Sequence, residues 1–171
     1  MFKPKVALLV GSESDLPTLQ EGIEILKKLE IPYALHIYSA HRTPGQTLRF
    51  AQRAHSVGFR VIIAGAGMAA HLAGVVAAHT LLPVIGVPME GKLQGLDSLL
   101  STVQMPRGVP VGTVAIGKTG AANAALLAAQ ILALSDEELL KRLRLFRLSL
   151  EKEVLHKDKK LQSNAKRFFK H

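Results

Sequence analysis

Two rhythms of apolar and polar residues alternate through most of the chain. Short, nearly continuous apolar runs occur at Val6–Val10, Tyr33–Tyr38, Val61–Ala64, Val84–Val87 and Thr113–Ile116. Such runs predict strands buried on both faces. Between them lie segments with helical spacing, about Leu16–Leu29, Gly45–Val57, Ala69–Thr80, Asp97–Val103 and Ala121–Leu134. A strand–helix repeat of about 25 residues predicts a parallel sheet with helices on both faces. No Pro/Gly/Ser-rich linker or low-complexity tract interrupts it, so no domain boundary is expected before residue 135.

The chain changes character after Ser135. Ser135 and Glu138 have the spacing of a capping box. Leu139, Leu143, Phe146, Leu150 and Val154 then recur at helical spacing. The expected element is an amphipathic helix with a basic far side, which must lay its apolar face on its own domain or on a neighbouring subunit. The highly charged end, Lys157 to His171, is expected to fray. The division is therefore residues 1–134 for the α/β domain and 135–171 for the helix and basic tail.

Composition narrows the class. A chain of 171 residues suits one domain and buries roughly 70% of its unfolded surface without a staple. It has no cysteine, which excludes disulfides, thiolate metal sites and a cysteine nucleophile, and fits a cytosolic protein. Met1-Phe2-Lys3-Pro4-Lys5 lacks the apolar core of a signal peptide. No apolar run approaches the roughly 20 residues of a membrane span. The net charge is +9, and residues 136–171 hold 11 Lys+Arg against 6 Asp+Glu. Over half of the excess thus lies in the final fifth. With few aromatics and no nucleic-acid motif, a solvated basic helix accounts for it better than nucleic acid or membrane does.

Candidate chemistry lies where strands hand over to helices, the edge at which open parallel sheets bind ligands. Ser39-Ala40-His41-Arg42-Thr43-Pro44 follows the second predicted strand. Histidine suits proton transfer near neutral pH, and arginine suits phosphate. Thr43 and Pro44 fit the cap and first position of the next helix. Alone, the pair could equally be polar loop residues. Gly11-Ser12-Glu13-Ser14-Asp15 follows the first strand. Its hydroxyls and free N–H groups could hold a phosphate or a ribose, and Asp15 could take sugar hydroxyls. Ser14 or Asp15 could also simply cap the helix.

The third turn is Gly65-Ala66-Gly67-Met68-Ala69-Ala70-His71. Small residues let a ligand approach the backbone. It loosely mimics a dinucleotide fingerprint, but that motif belongs on a first turn. His71, taken alone, reads more readily as structural. Pro88 to Gly95 and the loop Gln104 to Pro110 are placed at the same edge, giving five converging segments. The P-loop, His-Glu-x-x-His and Gly-x-Ser-x-Gly patterns are absent. His36, His55 and His79 lie within elements without ligand spacing, so no metal site is expected.

Gly11-Ser-x-Ser-Asp15, Ser39-Ala-His-Arg-Thr-Pro44, Gly65-Ala-Gly67, Ala69-Ala-His-Leu72, Gly95-x-Asp97-Ser98 and Gln104-Met-Pro-x-Gly-x-Pro110 occur in order. Together they resemble the bacterial N5-carboxyaminoimidazole ribonucleotide mutases (class I PurE, in the AIR carboxylase family). The likeness runs from about Val6 to Leu134. The Ser-Ala-His-Arg-Thr-Pro and Ala-Ala-His-Leu runs look like class I rather than the class II carboxylase. Met68 stands where the family usually has glycine, and Ala73 where it has proline. The loop Met89 to Gly95 is about one residue short. These departures touch the lid of the pocket rather than the turn that carries His41.

The resemblance implies a three-layer α/β/α sandwich around a parallel sheet, flavodoxin-like or Rossmann-like, with a C-terminal helical extension. It implies conversion of N5-carboxyaminoimidazole ribonucleotide (N5-CAIR) to 4-carboxy-5-aminoimidazole ribonucleotide (CAIR) in purine biosynthesis. His41 would be general acid and then base. Ser12, Ser14, Asp15, Ser39, Ala40 and Arg42 would bind the ribonucleotide. Backbone groups of Gly67, Ala69, Ala70, His71 and Leu72 would line a carbon dioxide site. No metal or organic cofactor is implied. The expected partner is a small ribonucleotide, not nucleic acid or membrane, and the expected state is a cytoplasmic homo-octamer. The alternatives are direct carboxylation of aminoimidazole ribonucleotide (AIR) with carbon dioxide, and a nucleotide-binding module without chemistry.

Overall fold

A computed structural model describes residues 4–168. They divide into two units between Leu132 and Ala133. In the first unit five parallel strands form one sheet: β1 (Val6–Val10), β2 (Tyr33–Ile37), β3 (Val61–Ala66), β4 (Val84–Pro88) and β5 (Gly112–Thr113). Their order is β2-β1-β3-β4-β5, the flavodoxin-like arrangement whose switch point lies between β1 and β3. Helices α1 (Leu16–Lys28), α2 (Pro44–Val57), α3 (Leu72–Ala77), α4 (Leu96–Val103) and α5 (Gly117–Ala133) connect and follow them.

The apolar strands are buried as their composition requires. β1 and β4 are buried at every position, and β3 at every position but its last. On one face Ala7, Leu9, Ile62 and Ala64 pack with Ala51 and Ala54 of α2 and with Leu72, Ala73 and Val76 of α3. On the other, Leu19 of α1 lies over Gly65. α5 contributes the small buried residues Ala121, Ala124, Ala125 and Ala128. A Cβ built on Gly22 of α1 would stand 2.6 Å from the Ala121 carbonyl oxygen, so α1 and α5 run almost backbone to backbone.

Several expectations shift. α3 is shorter than the predicted Ala69–Thr80, because consecutive tight turns (Ala70 N–H to Met68 O, His71 N–H to Ala69 O) occupy its start. The last strand pairs only at Gly112–Thr113, not over Thr113–Ile116. There the chain swings into α5, which starts at Gly117 with φ +73°. Ser98 ties the fourth connection down: its hydroxyl lies 2.6 Å from the Met89 carbonyl and 2.9 Å from that of Gly95.

The second unit is one helix, α6 (Glu137–Phe168). Its cap is Asp136, whose Oδ1 accepts the Leu139 N–H at 2.9 Å, rather than the predicted Ser135. The helix persists through most of the segment expected to fray. Residues 169–171, like the N-terminal residues 1–3, lie outside the described residues. Leu139, Leu143 and Phe146 of the stripe are buried, whereas Leu150 and Val154 are exposed.

Candidate functional site

Three turns meet at the C-terminal ends of β2, β1 and β3, and their chemistry pins each to the next. The first extends the sheet by one bond, Gly11 N–H to Gly65 O at 3.3 Å. It then makes a 3-10 turn over Glu13–Asp15. Ser14 donates its hydroxyl to Ser12 Oγ at 3.0 Å. Neither Ser14 nor Asp15 caps α1 through its side chain. The half-buried Asp15 carboxyl is pushed above its ordinary value of 3.8 by burial, opposed by a hydrogen bond from the Ser12 backbone and by the Arg42 charge.

The second turn is knotted on Ser39. Thr43 does occupy the cap of α2, with Pro44 following, but its hydroxyl turns back. Its Oγ1 accepts the Ser39 N–H at 2.9 Å and lies 3.2 Å from the Ser39 carbonyl. The Arg42 N–H donates to Ser39 Oγ at 3.1 Å. Buried Thr47 reaches the same carbonyl at 3.3 Å. The His41 and Arg42 side chains therefore project from a braced loop. Arg42 Nη2 donates to the Gly11 carbonyl at 3.1 Å, joining the second turn to the first.

The third turn presents His71 to His41. His41 Nε2 and His71 Nδ1 are 2.8 Å apart, with rings nearly perpendicular at 83°. One nitrogen carries the shared proton and the other accepts it. Met68 holds φ +56°, and its carbonyl takes the Ala70 N–H at 2.9 Å.

The turns enclose a pocket of about 400 Å³, the size of a small-molecule site. Of the residues singled out in the sequence, Ser12, Ser14, Asp15, Ser39, Ala40, His41, Arg42, Gly67, Ala69, His71 and Leu72 line it. Ala70 does not, being 1% exposed within the core. The five converging segments reduce to three. The Pro88–Gly95 turn and the Gln104–Pro110 loop contribute no lining residue, and Met89 is buried. Gly11, Ala66 and Met68 also line the pocket, although sequence reasoning did not single them out as site residues. Among the described residues no group of three or more His, Asp or Glu is arranged to hold a metal ion.

Fold and pocket define a doubly wound α/β protein that binds a small polar ligand at its switch point. The AIR carboxylase family model matches residues 5–153. The chain is 57% identical to the N5-carboxyaminoimidazole ribonucleotide mutase of Escherichia coli over 152 residues, 88% of this chain and 90% of that protein. It is 51% identical to the mutase of the same name from Bacillus subtilis over 161 residues, 94% of this chain and 99% of that one. The crystal structure of Treponema denticola PurE superposes with a TM-score of 0.82 at 29% identity, covering 92% of this chain and 98% of that one. The chain belongs to the AIR carboxylase family.

Proposed function

We propose that this protein is an isomerase that converts N5-CAIR to CAIR in purine biosynthesis. The observation that carries this reading is the junction of His41, Arg42, His71 and the hydroxyl-bearing first turn in one pocket, in a chain over half identical to mutases of that name.

The chemistry needs two proton transfers, which one group can make in turn. His41 gives a proton to the exocyclic nitrogen; the nitrogen–carboxylate bond breaks, leaving AIR and carbon dioxide. The ring carbon then bonds to that carbon dioxide, and His41 takes the proton from that carbon, restoring aromaticity. The net proton count on His41 is unchanged. His71, 2.8 Å away, fixes the orientation of the His41 ring. Arg42 and the Ser12–Asp15 turn hold the ribonucleotide through its phosphate and ribose, and the small residues from Gly67 to Leu72 admit the carbon dioxide close to the backbone. Confinement keeps the reacting pieces at high effective concentration.

The same reading includes a cytoplasmic homo-octamer. The cysteine-free composition suits a reducing compartment. Among the described residues no helix is long and apolar enough to cross a membrane. Helix α4 supports assembly: it buries Ser98 and Thr102 and exposes Leu96, Leu100 and Val103, an inverted pattern that calls for a covering surface. Light scattering on the purified protein checks the assembly, and a mass near one chain refutes it.

Following N5-CAIR consumption and CAIR appearance by absorbance tests the activity. AIR with bicarbonate, offered in place of N5-CAIR, separates a mutase from a direct carboxylase. His41→Asn is expected to fold and bind but to lose roughly 10²–10⁴-fold in turnover. Turnover near that of the parent protein would remove His41 from the mechanism.

A further inference from the structure

Among the described residues, three other than glycine hold a left-handed backbone, Glu30, Met68 and Gln94. Two have local reasons. Glu30 ends α1, where the Ile31 N–H reaches back to the Leu26 carbonyl in a helix-stop geometry. Gln94 lies in a turn closed by its own N–H on the Gly91 carbonyl. Met68 stops no helix. Glycine would make the same turn without strain, and strain held at a binding site points to a use for the side chain.

What Met68 offers is reach. Its backbone is fixed, the carbonyl taking the Ala70 N–H at 2.9 Å and lying 3.5 Å from the Ser101 hydroxyl. The residue is 71% exposed and lines the pocket. Leu72 is the other large apolar residue among the described lining, and it is 2% exposed and part of the core. The polar lining includes Ser12, Asp15 and Arg42. A thioether on a flexible stem settles well on a planar ring.

We infer that Met68 closes over the aminoimidazole face of the bound nucleotide and retains carbon dioxide between the two bond changes. The inference rests on the mutase reading. When the carbamate carbon–nitrogen bond breaks, the proton goes to nitrogen and carbon dioxide is freed. It must stay until the ring carbon bonds to it and the ring proton leaves. The other apolar lining residues are the small Ala40, Ala66 and Ala69 and the buried Leu72, and a long apolar cover excludes water. Met68 thus sets the partition between transfer and escape.

The test supplies unlabelled N5-CAIR in buffer equilibrated with ¹³C-bicarbonate and measures ¹³C in the CAIR formed early. Carbon dioxide that escapes is replaced by labelled gas. Met68→Gly and Met68→Gln are expected to raise the labelled fraction, or the AIR released per CAIR, several-fold over the parent protein. Met68→Leu, which restores an apolar cover, should return both towards the parent values. Met68→Gly relieves the left-handed strain, so its melting temperature should not fall. Unchanged label and AIR release in both the Gly and Gln variants, with CAIR still formed, overturns the role of Met68 alone. A parent protein that makes no CAIR from N5-CAIR overturns the mutase reading, and this inference with it.

Discussion

Gly22→Ala sets two opposing effects against each other. Alanine in the middle of α1 gains about 1 kcal/mol of helix propensity over glycine. The added methyl meets the Ala121 carbonyl oxygen at 2.6 Å and its carbon at 3.1 Å. Ordinary van der Waals contact begins at 3.4 Å, so the helices must separate by about 0.8 Å. The obstacle is backbone of α5, which cannot rotate away as a side-chain tip can. Overpacking a tight contact costs roughly 1–3 kcal/mol, and an immovable partner puts this case at the upper end. Overpacking therefore wins by about 2 kcal/mol. For a chain of this size that lowers the melting temperature by about 4–8 °C. Gly91→Ala is the control: its added methyl has no atom within 4 Å. Thermal unfolding followed by circular dichroism measures both. If Gly22→Ala melts at or above the parent temperature, the close approach of α1 and α5 does not constrain the fold and the reasoning fails. Asp15 immediately precedes α1, so a displaced helix should also weaken nucleotide binding.

The remaining predictions concern charge. Arg42→Ala removes a guanidinium from an exposed loop, so stability should barely move; a lost charge-assisted contact of roughly 1.5–3 kcal/mol should weaken product binding at least about tenfold by calorimetry, and unchanged affinity would place the phosphate elsewhere. Asp15 has a folded-state pKa raised above 3.8, mainly by burial. The native state therefore holds its proton longer as pH rises, and stability is lost through that window. Asp15→Asn should be the more stable protein at neutral pH in denaturant titrations, with the gain vanishing below pH 3.8, while it binds nucleotide less well. His36, stacked on Tyr38 at 5.2 Å, has its pKa lowered from 6.5 by burial. Its neutral form is favoured on folding, so its contribution is present above pH 6.5 and lost as pH falls through the lowered value. The stability of His36→Phe relative to the parent should rise between pH 7.5 and pH 5, and a flat difference would contradict the burial argument.

The sequence made the layers legible because period and burial coincide: β1 and β4 are apolar at every position and lie inside at every position. It misplaced ends where a local bond outbid the pattern. Ser135 and Glu138 satisfy a capping box on paper, yet Asp136, one residue on, offers its carboxylate to the Leu139 N–H. Ala69 and Ala70 favour helix, yet they are spent on the turns that bring His71 round. The first, second and third turns were legible as site because polar and small residues there follow buried strands. The fourth turn follows the same rule but lines no part of the pocket, and the proline-bracketed loop follows α4 and leads into β5 instead of leaving a strand. They belong to β4 and β5, on the far side of β3 from the switch point, and strand order is what periodicity alone leaves open.

Strand order also accounts for the one contact that no local motif announces. His41 follows β2 and His71 follows β3, thirty residues apart, and β1 lies between those strands. Neighbouring strands are about 4.8 Å apart, so the two turns start roughly 10 Å from each other. Two imidazoles reaching inward span that gap, and they meet at 2.8 Å beyond the end of β1. Gly11, at the end of β1, ties it to both sides, donating its N–H to Gly65 and offering its carbonyl to Arg42. A strand order of β1-β2-β3 would bring the two turns to adjacent strands and remove Gly11 from between them. The histidine pair is thus a consequence of the reversal in strand order, and the fold places it where the sheet is most accessible to a ligand.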